Sequence, residues 1–194
     1  MSVLLLLLAG PLQAWGAASR FPRRTTETAP TKSGVLGLLA AAQGRPRDAD
    51  LSDLVALRYG VRIDQPGTRV RDFQTAHHSD TGKAMPVSER FYIADAVFVA
   101  AVEGDSELVH ALHGALREPV FLPYLGRRSC PPSKPLDLGV RDDVDLVTAL
   151  SQVPWQASSW YKRDAPAELT LLTDAAPGET PHLTIRDAPL TFSP

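Results

Sequence analysis

The sequence predicts an α+β protein on the ferredoxin-like β-α-β-β-α-β plan (RRM-like), with a protruding hairpin arm and a small C-terminal extension. Three observations predict it. Near-continuous apolar runs open the chain and recur at its middle, as in strands covered on both faces. Two segments with apolar residues at helical spacing each follow such a run. A long polar stretch broken by Pro66-Gly67 and Gly82 separates the second strand from the third.

The elements come in this order. Ser2–Leu8 is apolar on both faces and reads as a central strand. A polar loop from Gln13 to Lys32 holds Arg20, Arg23, Arg24 and Lys32 against one acid, Glu27. A helix should begin near Ser33, with Val35, Leu38, Leu39 and Ala42 on one face, Thr31 or Ser33 as cap and Gly44 at its close. Gly34 and Gly37 lower its propensity, which close packing against a sheet or ligand would offset. A short second helix is expected at Leu51–Leu57 and a strand at Tyr59–Asp64. Residues 65–92 form the arm, and Tyr92–Glu103 is the strongest strand. Asp105 or Ser106 caps a helix carrying Leu108, Leu112 and Leu116, which Pro119 ends. Val120–Leu125 completes the plan as a fourth core strand, followed by the loop Gly126 to Pro132. The boundaries are thus 1–132 for the main domain and 133–194 for the extension. In the latter, Asp143–Leu150 reads as a helix, and Leu169–Thr173 and His182–Arg186 as strands paired across Pro177-Gly178.

A chain of 194 residues with 44% hydrophobic content buries a substantial core. Its net charge of −2 hides an asymmetry: residues 1–97 hold 12 Lys/Arg against 9 Asp/Glu, and residues 98–194 hold 8 against 13. An anionic partner would therefore meet the N-terminal half. The lone Cys130 allows no internal disulfide and no cysteine-based zinc site, and it fits a reducing compartment. Ala14-Trp15-Gly16-Ala17-Ala18 passes for a signal-peptidase site, which leaves a secreted binding module as one alternative. Against it, no Lys or Arg precedes the apolar run, and Pro11 interrupts the chain just after that run. The run is also too short to span a membrane.

The chemistry-bearing residues are mostly basic. The loop entering the helix at Ser33 joins arginines to unpaired helix N–H groups, an arrangement that attracts phosphate. Thr31-Lys32-Ser33-Gly34 lacks the upstream glycine of a nucleotide-hydrolysing phosphate loop. An ordinary capped helix after a solvated loop fits equally well. Trp15 suits either a base stack or a core anchor. Gly126-Arg127-Arg128-Ser129-Cys130-Pro131-Pro132 sets two arginines in a stiffened turn, suited to phosphate or to pairing with Asp142 and Asp143. The arm interleaves arginines with Phe73, His77 and His78, as a single-strand binder or a solvated hairpin would. His77 and His78, with Lys83 or Tyr92, also open a metal-independent endoribonuclease reading. His110 and His113, at i and i+3 on a helix, read as a solvent-facing pair and not as a metal site. Phe98 is the one aromatic on the strand Ala94–Val102, so any RNA contact is expected from loops and not from an open sheet face.

Taken together, LLLLLAGPLQAWG, SRFPRRTTETAPTKSGVLGLLAAAQGR, LVALRYGVRIDQPG, VRDFQTA, VSERFYIADAVFVAAVEG and PVFLPYLGRRSCPP resemble the CasD family of type I-E CRISPR Cascade, within the RAMP superfamily. They span almost all of residues 3–132, and the match thins afterwards to RDAPLTF. The resemblance implies a cytoplasmic, non-catalytic subunit that needs no cofactor and caps the 5′ handle of the guide RNA. It implies contacts with a backbone RAMP subunit and the large subunit that inspects target DNA, and residues 65–92 would be the thumb. It implies RNA contact at Gln13, Trp15, Ser19, Arg20, Arg24, Lys32, Ser33, Arg71, Arg90, Arg127 and Arg128.

Overall fold

The computed structural model describes residues 1–16, 23–165, 168–175, 178 and 180–181. Ser19 and Arg20 lie outside the described residues, as do the expected strand at His182–Arg186 and the RDAPLTF segment.

Among the described residues, nine strands and five helices are arranged as two antiparallel-dominated sheets. In chain order they are β1 (Ser2–Ala9), β2 (Leu12–Gln13), β3 (Arg23–Arg24), α1 (Lys32–Ala42), α2 (Ser52–Val55), β4 (Arg58–Gln65), β5 (Thr68–Gln74) and β6 (Ser88–Ala94). Then come β7 (Val97–Gly104), α3 (Ser106–Arg117), β8 (Asp137–Asp142), α4 (Leu146–Gln152), α5 (Ser159–Lys162) and β9 (Thr170–Thr173). The main sheet runs β8-β1-β7-β4-β9, and each neighbouring pair is antiparallel.

The unbroken apolar run of β1 has a direct cause. Its residues are buried on both faces, because alternate side chains enter different cores. Leu4, Leu6 and Leu8 join Val35, Leu39, Val109 and Leu112 of α1 and α3. Val3 and Leu5 join Val99, Ala101 and the α4 residues Leu146, Ala149 and Leu150. A strand between two helical layers has no face to make polar.

Both long helices start as the sequence predicts. Thr31 accepts from the Gly34 N–H, and Asp105 accepts from Glu107 and Leu108. Gly34 lies against the face of Trp15, where an added Cβ would sit 2.8 Å from a ring carbon, so close packing does account for this glycine.

Two expectations are corrected. Tyr92–Glu103 is not one strand. Asp95 takes a positive φ of 56° and splits it, sending β6 and β7 into different sheets. A short polar side chain tolerates that conformation. The apolar run Val120–Leu125 is not a strand either. The N–H groups of Val120 and Phe121 bond the carbonyls of Ala42 and Ala41 at the end of α1, and Phe121 and Leu122 are exposed. The strand beside β1 is instead β8, and both edge strands of the main sheet come from the region beyond residue 132.

The second sheet is built around β6. One edge of β6 pairs with β5 along its length. The other edge is shared: β2 pairs at Ile93–Ala94 and β3 pairs in parallel at Glu89–Arg90. Residues of the predicted arm and basic loop thereby meet in one sheet.

Candidate nucleic-acid interface

Strand alternation sorts the residues of the second sheet into two faces. Cross-strand partners share a face, and the register pairs Arg69 with Ile93, Arg71 with Phe91, Phe73 with Glu89 and Arg23 with Glu89. The first face therefore collects Arg23, Arg69, Arg71, Phe73, Phe91 and Glu89. Its contacts agree with that placement. The guanidinium carbons of Arg23 and Arg69 lie 5.4 and 5.0 Å from the Phe91 ring centre, and that of Arg71 lies 4.9 Å from Phe73. Glu89 is the shared carboxylate, 3.7 Å from Arg23 and 3.8 Å from Arg71.

Three guanidinium groups against one carboxylate leave this face positive on a chain whose net charge is negative. Arg23, Arg71 and Phe73 are exposed. Flat cations beside aromatic rings suit a single nucleic-acid strand, whose phosphates take the charge and whose bases stack. Phe98, the one aromatic of its main-sheet strand, is fully buried, and the second sheet, which the sequence did not delineate, carries Arg23 and Arg69. The period-two spacing of Arg69, Arg71 and Phe73 was the available signal.

The opposite face carries Arg24, Arg90 and Tyr92, paired through the same register, and the turn after Leu125 reaches it. Gly126 makes that turn with a φ of +82°, tight against the Ala14 carbonyl, where a Cβ would collide. Arg127 then lies over the Tyr92 ring at 4.9 Å and donates to the carbonyls of Arg24 and Thr25 at 3.0 and 3.3 Å. It does not bridge to Asp142, which is engaged by Ser2 and His110. Arg128 is exposed.

Gln13, Trp15 and Lys32 are all engaged within the fold. Gln13 and Trp15 are fully buried. The Gln13 amide donates to the carbonyls of Leu8 and Ala96 and accepts from the Trp15 indole N–H, which stitches β1 to the break before β7. The Trp15 backbone is held by Thr26 and Glu27. Lys32 is paired with Asp174 at 2.8 Å, and the same carboxylate accepts from the Tyr59 N–H. A carboxylate thus sits on the cation at the start of α1. Ser33 is half-buried beside Thr31, 3.4 Å between hydroxyl oxygens.

The endoribonuclease set does not converge. His77 and His78 are exposed beyond the ends of β5 and β6, whereas Tyr92 is buried beneath Arg127. His110 and His113 each face a carboxylate, Asp142 at 3.1 Å and Asp137 at 2.9 Å. Among the described residues no group of three or more metal-ligating side chains gathers, and no helix is long and apolar enough to cross a membrane. Burial pushes the Cys130 thiol above its ordinary pKa, away from nucleophilic use.

Known proteins similar to this chain are described as CRISPR-associated or Cas proteins. A family model described as CRISPR-associated protein (Cas_Cas5) matches residues 3–194. The CRISPR system Cascade subunit CasD of Escherichia coli (strain K12) is 37% identical over 170 residues, covering 77% of this chain and 75% of that one. A solved structure described as a crystal structure of Cas protein superposes with a TM-score of 0.75 at 40% identity, over 98% of this chain and 87% of that chain. A chain of a CRISPR RNA-guided surveillance complex superposes with a TM-score of 0.62 at 37% identity, over 69% of this chain and 61% of its own.

Proposed function

The chain belongs to the CRISPR-associated Cas5 family, and from that premise we propose that it is the Cascade subunit that binds and caps the 5′ handle of the guide RNA. The observation that carries this reading is the face of the second sheet on which exposed Arg23, Arg69, Arg71 and Phe73 surround a half-buried Phe91. Phosphates of a single strand lie against Arg23, Arg69 and Arg71, the first two held on the half-buried Phe91 ring, while a base stacks on Phe73. Arg24, Arg90, Arg127 and Arg128 flank it from the opposite face and the adjoining turn. The hairpin of β5 and β6 acts as the thumb of a ferredoxin-like RAMP domain. The main-sheet order β8-β1-β7-β4 supports that assignment, with α1 and α3 as its two helices.

In this role the subunit is cytoplasmic and non-catalytic. It meets a backbone RAMP subunit and the large subunit, and reaches target DNA only through them. Incubating the purified protein with repeat-derived RNA tests the assignment. The expected result is a retarded band containing intact RNA. Cleaved RNA would restore the endoribonuclease reading, and no binding at any salt concentration would remove the handle-binding one.

A further inference from the structure

We propose that Gln65 and Ser158 are positioning residues, a brace that fixes the angle at which the hairpin of β5 and β6 leaves the main sheet. The C-terminal extension thereby sets the orientation of the arginine face. This deepens the guide-RNA reading and rests on it only for the consequence in binding. β4 and β7 of the main sheet run on into β5 and β6 of the second, so the four strands form one long hairpin. It bends where the pairing passes from Gln65–Val97 to Thr68–Ala94. Gly67 crosses the bend with a φ of +72° and Asp95 with one of +56°. The register of β4 also shifts between Ile63 and Gln65.

Two paired strands alone hold a bend poorly, so its angle depends on what grips it. Gln65 is buried and uses both ends of its amide there. Its Nε2 donates to the carbonyl of Asp95 across the bend. Its Oε1 accepts from the N–H of Ser158 at 3.1 Å and from the Ser158 hydroxyl at 2.5 Å. One side chain thereby ties both arms of the hairpin to the extension.

The extension is itself firmly anchored. Arg62 and Asp64 of β4 are buried and paired at 2.7 Å. The Arg62 guanidinium donates to the carbonyls of Leu150, Val153 and Pro154, and Asp64 accepts from the N–H of Gln156. The Trp155 indole N–H donates to the carbonyl of Asp64. Residues 150–158 are thus bound along the last four residues of β4, up to the bend. The N-terminal segment holds the other edge, where β2 pairs with Ile93 and Ala94 and the Gln13 amide donates to the carbonyl of Ala96. Releasing Gln65 leaves the bend gripped from that edge. Arg69 and Arg71 stand two and four residues beyond Gly67, and Phe91 four before Asp95, so a small swing at the bend moves the whole face.

Spin labels at Thr81→Cys, between β5 and β6, and at Ala111→Cys on α3 test it on the full chain; both sites are exposed and the native Cys130 is buried. Pulsed electron paramagnetic resonance should give one narrow distribution of label separations in the otherwise native protein. Gln65→Met, which keeps the volume and removes the amide, should broaden it. Ser158→Pro fits the native φ of −64° and removes both donors, and it should broaden the distribution as well. Ser158→Thr, which keeps both donors, should match the native protein. If Gln65→Met does not fold, the Pro and Thr variants of Ser158 carry the comparison. A distribution as narrow as the native one in Ser158→Pro overturns the brace, whatever happens to the melting temperature. Handle-RNA affinity in the broadened variants should fall about threefold to tenfold, because the binding-competent orientation becomes one of several. Broadening with unchanged affinity upholds the brace and rejects the arginine face as the RNA site. Loss of affinity without broadening overturns the brace and leaves the guide-RNA reading intact.

Discussion

Gln13 and Trp15 carry chemistry that resembles recognition and serves construction. Trp15 fills the space over Gly34, and Gln13 spends both ends of its amide inside the fold. Trp15→Ala should therefore lower stability by about 3–5 kcal/mol in the free protein, measured by denaturant unfolding. Unchanged stability with weakened RNA binding would instead make Trp15 a contact residue. Sequence could not separate these outcomes, because the partners of this pair, Leu8, Ala96 and Thr26, come from three separate segments. The arginines were easier to single out as basic groups. Their sorting into two faces required the register of β6 with β5 and β3, which no local pattern supplies for a two-residue strand such as β3.

Elements with strong local signals were legible from sequence, and those set by distant partners were not. α1, α3 and β1 follow from caps and apolar spacing alone. Val120–Leu125 had the composition of a strand, but the end of α1 took its first N–H groups and Pro119 and Pro123 supply none. β8, with Asp137, Arg141 and Asp142, had a weaker apolar signal and gained the place beside β1.

The loop and helix junctions also set a pH response. The bidentate hydrogen bonds of Arg45 hold the Asp53 carboxyl below its ordinary value, and the hydroxyl and N–H of Thr148 do the same for Asp145 at the start of α4. A carboxyl lowered by folding adds stability above its unfolded pKa of about 4, and that contribution is lost as the pH falls through the folded value. The melting temperature should drop below about pH 4. Asp53→Asn should lower it at pH 7 and shrink the difference between pH 7 and pH 3, and an unchanged difference would contradict this origin.

At the scale of the whole molecule, the proposed reading gives packing and recognition to separate sheets. The main sheet is covered by α1 and α3 on one side and α4 on the other, so its central strands β1 and β7 are largely apolar on both faces. The second sheet is small and exposed on the face that carries Arg23, Arg71 and Phe73. On the proposed reading, this division lets a chain of net charge −2 hold a polyanion. The positive field is local to residues 23–24, 69–71, 90 and 127–128, and the acidic excess lies in the second half of the sequence.

The salt dependence of handle-RNA affinity tests that division most directly. Each phosphate contact on a single strand contributes about 0.7 to the slope of log affinity against log salt. Changing Arg23, Arg69 and Arg71 together to Gln should lower the slope by about 2, while changing Arg117, Arg141 and Arg163 should leave it as in the native protein. Equal losses from the two triple variants, or no loss from the first, would contradict the assignment of guide-RNA binding to the second sheet.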